Sequence, residues 1–98
     1  MTYLKVKWIH THSTEPVLLY SELDDGRWEQ RKVEVYTDGK CDYASQFVEK
    51  GNTGLGLEPM PLLSEIALDS QFEPFEITQD EFESIWTLAC AGQNIKNI

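Results

Sequence analysis

His10 and His12 stand two residues apart, with Glu15 close behind. In an extended segment the side chains at i and i+2 share a face, so two imidazoles at this spacing can ligate one metal ion. Glu15, Asp24 or Asp25 would supply a third ligand. The bland alternative is a strand end at which His10 hydrogen-bonds locally and His12 is solvated. A second group lies around RWEQR, where Arg27, Glu29 and Arg31 follow Glu22. Two facing carboxylates flanked by two guanidiniums suit an acid–base pair, a recognition patch for a charged partner, or a cross-strand ion-pair ladder. Gly51, Gly54 and Gly56 imitate a phosphate-cradling loop, but no Lys-Ser/Thr follows and the segment reads as a plain connection. Cys41 and Cys90 have no CxxC spacing and no catalytic frame. No GxSxG elbow is present. No catalytic, cofactor-binding or metal-ligating residue is assigned on these grounds, and no cofactor is expected.

The elements that hold these residues follow from hydrophobic periodicity and turn chemistry. Residues 2–10 alternate as a half-buried strand, with Leu4, Val6 and Trp8 on one face. A polar loop up to Pro16 follows. Residues 17–24 and 27–36 read as strands joined by a tight turn at Asp25-Gly26, and a second turn at Asp38-Gly39 leads into a strand over 40–45. Two-residue loops at both turns predict a register. The first pairs Glu22 with Glu29, Tyr20 with Arg31 and Leu18 with Val33; the second pairs Tyr36 with Cys41 and Val33 with Ala44. Leu18, Val33, Val35 and Ala44 then mark the inner face, and the Asp25 turn projects beyond the core. Residues 50–61 form an irregular connection rich in Gly and Pro.

The second half reads as helical. Pro61 suits the first turn of a short helix over 62–68, and residues 69–77 form an extended linker around Pro74. Thr78 and Glu81 make a capping box, Asp80, Glu81 and Glu83 favour the helix start, and Phe82, Ile85, Trp86 and Ala89 share one face. Gly92 is a natural stop, and 93–98 is expected to fray. The predicted fold is one α+β domain over 1–98: a four-stranded antiparallel meander in the sheet half, 1–49, with both helices of the helical half, 62–92, on one of its faces.

The chain has 98 residues, 41% of them hydrophobic and 11% aromatic, which suits one globular domain. Its net charge of −9 is uneven: residues 1–50 carry seven basic and nine acidic side chains, whereas 51–98 carry Lys96 against eight acids. Without a basic stripe, direct nucleic-acid binding is disfavoured, and a basic protein partner is favoured. The acidic stretch Glu58–Glu83, interleaved with Phe72, Phe75, Phe82 and Trp86, would suit a mimic of nucleic acid or simply an acidic face over an aromatic core. The start carries charges within any would-be apolar run, and no stretch reaches membrane-spanning length. A reducing cytoplasm is the expected compartment.

The strings KVKWIH, EPVLLYSELD, RWEQRKVEVYTDG and FEPFEI, with a later EFESIW, resemble a family of small bacterial proteins of unassigned function, from about Leu4 to Trp86. The resemblance implies a stand-alone cytosolic domain and carries over no catalytic residue. By analogy, small acidic chains of this kind resemble immunity proteins that neutralise a cognate toxin. The expectation is a non-enzymatic protein-binding module of this type, with Arg27, Trp28 and Arg31 at the hairpin tip, and Glu22 and Glu29 beside them, as partner-binding residues. The alternatives are a metal-binding or hydrolytic domain built on His10 and His12, or a nucleic-acid-mimicking regulator. The sequence does not decide between monomer and dimer.

Overall fold

A computed structural model describes residues 1–95. Its elements are β1 (Thr2–Trp8), β2 (Leu18–Leu23), β3 (Glu29–Val35), β4 (Cys41–Ser45), β5 (Glu49–Lys50), α1 (Leu63–Ile66), β6 (Phe72–Ile77) and α2 (Gln79–Cys90). All strand pairings are antiparallel, and the sheet order is β5-β4-β3-β2-β1-β6.

The sheet therefore has six strands, where the sequence predicts four. The short β5 extends the meander beyond β4. The larger correction is β6, which the sequence places in a linker because of Pro74. β6 pairs with β1 alone, so it is an edge strand, where a proline costs no ladder bond on its solvent side. Pro74, Glu73 and Glu76 also blunt that edge against pairing with another chain.

Both hairpin registers differ from expectation, for a shared reason. Asp24 Oδ1 accepts the backbone N–H groups of Gly26 at 3.0 Å and Trp28 at 2.8 Å. The Arg27 N–H donates to Asp24 O and the Asp24 N–H to Trp28 O, so the loop holds three residues, with Arg27 in the left-handed region at φ 67. This is a turn followed by a left-handed residue, a three-residue loop and not a two-residue one. A bulge then leaves Gln30 unpaired, and Leu23 faces Glu29 while Glu22 faces Arg31. At the second turn Gly39 (φ 88) takes the same position. Val35 pairs with Cys41, and Val33 with Tyr43, one residue away from the predicted register.

The slip separates Ala44 from Val33. Ala44 lies opposite Lys32, on the other face of the sheet, and is still fully buried. The first face carries Tyr3, Leu18, Tyr20, Val33, Val35 and Cys41, and α2 covers it with Phe82 and Ala89. Burying a side chain the size of Phe82 contributes roughly 2–3 kcal/mol. The second face carries Leu4, Leu23 and Ala44. The connection from Gly56 to Pro61 and α1 lie on this side, with α1 packed near β6. The two helices thus lie on opposite faces and not on one. The connection that precedes α1 is tied to the second face by the Gly56 N–H on Glu29, and so delivers α1 to that side.

α2 forms for the local reasons the sequence shows. Thr78 Oγ1 accepts the Glu81 N–H at 3.1 Å, and Glu81 Oε1 lies 3.3 Å from that hydroxyl. At the other end Gly92 (φ 72) and Gln93 donate back to Ala89 O and Leu88 O, which closes a Schellman motif. The chain does not fray immediately afterwards. The Ile95 N–H donates to Gly39 O at 2.7 Å, and the Ile95 side chain is buried in the α2-side core. The remainder of the expected frayed tail, 96–98, lies outside the described residues.

Candidate functional site

The bulge at Gln30 distributes the charged hairpin residues over both faces. Arg31, opposite Glu22 on the α2 side, donates through Nε to Glu22 Oε1 at 2.7 Å and through Nη2 to Oε2 at 2.6 Å. The same Nη2 reaches Glu83 Oε1 on α2 at 2.7 Å. The guanidinium lies 4.9 Å from the Phe82 ring centre and 5.1 Å from that of Trp86. The Arg31 bond holds the Glu22 carboxyl below its ordinary range, against the opposing effect of burial. Burial, and then the Glu22 carboxylate, push the Tyr3 hydroxyl up. Arg31 thus ties the sheet to α2.

Glu29 points to the other face, and its side chain is only 4% exposed. It accepts the Ser21 hydroxyl at 2.7 Å and the Gly56 N–H at 2.9 Å, and pairs with Lys32 Nζ at 3.2 Å. The predicted Glu22–Glu29 facing pair does not exist, and with it goes the geometric basis for acid–base chemistry between them. Glu29 anchors the 53–61 connection to the sheet.

Arg27 and Trp28 remain at the hairpin tip. Arg27 donates through Nε to Met60 O at 2.8 Å and through Nη2 to Pro61 O at 2.7 Å, while the Met60 N–H donates to Arg27 O. These bonds bring the connection to the tip. The Gln46 amide donates to Gln30 Oε1 at 2.9 Å, and the Gln30 amide to Trp28 O at 3.1 Å, which brings the β4–β5 turn to the same end. Four apolar side chains are left exposed there: Trp28 at 45%, Phe47 at 94%, Val48 at 42% and Leu57 at 90%. Asp25, Glu49 and Glu58 are exposed around the same end. Phe47 and Leu57 are absent from the sequence-based assignment. The only sequence signal for them is an apolar residue within each turn-rich segment, and that alone does not tell an exposed side chain from a buried one.

His10 does not form a metal site with His12. Its Nδ1 accepts the His12 N–H at 2.9 Å, which leaves Nε2 to donate to Pro16 O at 2.8 Å. Both ring nitrogens are committed, and the described residues contain no group of three or more His, Cys, Asp or Glu placed to hold a metal ion. Gly51 sits beside Asp42, and no helix start follows the glycines to cradle a phosphate.

A family model described as a domain of unknown function, DUF6881, matches residues 2–91. The chain belongs to that family. The DUF6881 match runs from the first residue of β1 to the cap of α2, so it takes in all six strands, the Arg31 clamp and the exposed end. No curated protein and no solved structure matches the chain. No helix among the described residues is long and apolar enough to cross a membrane.

Proposed function

We propose that this chain is a non-enzymatic protein-binding module whose docking surface is the sheet end bearing Trp28, Phe47 and Leu57. The observation that carries this reading is the near-complete exposure of Phe47 and Leu57 at the sheet end that also carries the half-exposed Trp28. Covering a phenylalanine and a leucine contributes roughly 2–3 kcal/mol each, and clustered exposed apolar side chains mark interaction sites. An apolar centre with a polar rim is the ordinary anatomy of a protein interface. Here the rim is acidic, through Asp25, Glu49 and Glu58, and the guanidinium of Arg27 is occupied by backbone carbonyls. With a net charge of −9, the field favours a basic partner.

The specific form we propose is a bacterial, cytoplasmic immunity protein that blocks a basic toxin domain. The net charge of −9 supports it. The docking residues are Trp28, Phe47 and Leu57 with Arg27 at the margin; Arg31, Glu22 and Glu29 support the surface from within. Co-expression with the product of an adjacent gene tests the proposal. A stoichiometric complex is expected, lost in a Phe47→Ser/Leu57→Ser variant that keeps the wild-type melting temperature. A variant complex of undiminished strength overturns the surface, and failure of every neighbouring product to bind overturns the role.

A further inference from the structure

Between the second face of the sheet and α1 lies a cleft of about 360 Å³. This is within the volume range of small-molecule sites, which are mostly apolar with a few polar groups fixing orientation. Val6 and Leu19 form its floor, and Met60, Pro61, Ile66 and Phe72 its walls. Four carboxylates border it, those of Glu29, Glu34, Glu65 and Asp69, against the single ammonium of Lys32.

The pairing state of these groups sets the ligand. Lys32 is paired with Glu29, whose remaining acceptors are taken by Ser21 and Gly56, so the two charges offset each other within the wall. Glu34 and Glu65 make no ion pair among the described residues, and the Asp69 carboxylate accepts only the Gln71 N–H, at 3.0 Å. The cleft therefore combines an apolar interior with uncompensated negative charge at its edge. An anion would meet repulsion, whereas an ammonium at the cleft edge gains charge-assisted contacts that a neutral molecule cannot make.

We propose that this cleft binds a small organic cation, a primary amine carrying an apolar chain or ring. The apolar body lies over Val6 and Leu19, and the ammonium lies among Glu34, Glu65 and Asp69. The cleft contains none of Trp28, Phe47 and Leu57, although Leu57 borders the adjoining groove with Glu29, Lys32, Met60 and Pro61, and the amine site does not depend on the protein-binding reading.

Phenethylamine, phenethyl alcohol and hydrocinnamate share one aromatic body and differ in charge. Calorimetric titration of the full chain with each, together with amide chemical-shift mapping, tests the proposal. The amine is expected to bind saturably, about tenfold more tightly than the alcohol, as suits a charge-assisted contact. Shifts should centre on Leu19, Lys32 and Ile66. Glu34→Gln/Glu65→Gln should remove most of the amine's advantage while leaving alcohol binding and the melting temperature unchanged. Carboxylate or alcohol binding as tight as the amine's overturns the proposal. So does the absence of saturable amine binding at millimolar concentration, or amine shifts confined to residues outside the cleft.

Discussion

Arg31 and Glu22 face each other across β3 and β2 in a two-bond fork, at 2.7 and 2.6 Å, and Arg31 joins that fork to α2 through Glu83. The fork exists because a single unpaired residue, Gln30, shifts the hairpin register. The sheet thereby gains a half-buried cation near two aromatic rings, where a two-residue hairpin would have set two glutamates against each other.

Replacing Glu22 with Gln leaves Arg31 with only Glu83. The guanidinium is one-fifth exposed, so water moderates the loss, and a destabilisation of about 2 kcal/mol is expected in denaturant titration. Arg31→Lys should cost a similar amount, because an ammonium cannot form the fork or stack on Phe82 and Trp86.

The same pair gives a pH dependence. The folded Glu22 carboxyl is held below its ordinary value by Arg31. Its contribution to stability is therefore present above the unfolded value of about 4.3 and is lost as pH falls through the folded one. Wild-type stability should decline from about pH 5 downward. In Glu22→Gln that part of the decline should vanish, so the two stability–pH curves converge in acid.

Arg27 holds positive φ without being glycine, at a cost of about 1 kcal/mol, and its side chain ties the connection to the tip. Arg27→Ala keeps the strain and loses both bonds, whereas Arg27→Gly relieves the strain and loses the same bonds. Both should speed amide exchange at Met60, and Arg27→Gly should be the more stable of the two. Equal exchange in wild type and both variants would show that the connection is held by other contacts.

A Cβ on Gly39 would stand 2.6 Å from the Ile95 carbonyl oxygen, at φ 88. Gly39→Ala should therefore destabilise by about 2 kcal/mol or more, from backbone strain and displaced Ile95 together. Ile95→Ala should cost about 2 kcal/mol through the cavity it leaves. Because both act on one contact, the double variant should cost less than the sum.

The local elements were legible and the non-local ones were not. Every signal that forms α2 lies within 77–93, from the Thr78 cap to Gly92. The strands of the meander also follow from alternation and turn residues. Their registers do not, because the Asp24 carboxylate captures two turn amides and Arg27 adopts a conformation usually left to glycine. β6 depends on β1, some seventy residues away in sequence, and Pro74 is tolerable only because nothing pairs on its outer side. The predicted cluster of Glu22, Glu29, Arg27 and Arg31 failed with the register: the three-residue turn sets Glu29 opposite Leu23, and the unpaired Gln30 sets Arg31 opposite Glu22. Trp28 was legible as a projecting residue. Phe47 and Leu57 were not, since their exposure is a property of the assembled end and not of SQFVEK or GLGLEP.

Amide hydrogen exchange on the complex with a co-purified basic partner measures the docking surface directly. Protection is predicted at residues 25–28, 46–49 and 56–60, with the outer face of α2 exchanging as in the free chain. Protection confined to 79–90, or no change anywhere on a verified complex, would contradict the assignment of binding to the Trp28–Phe47–Leu57 end.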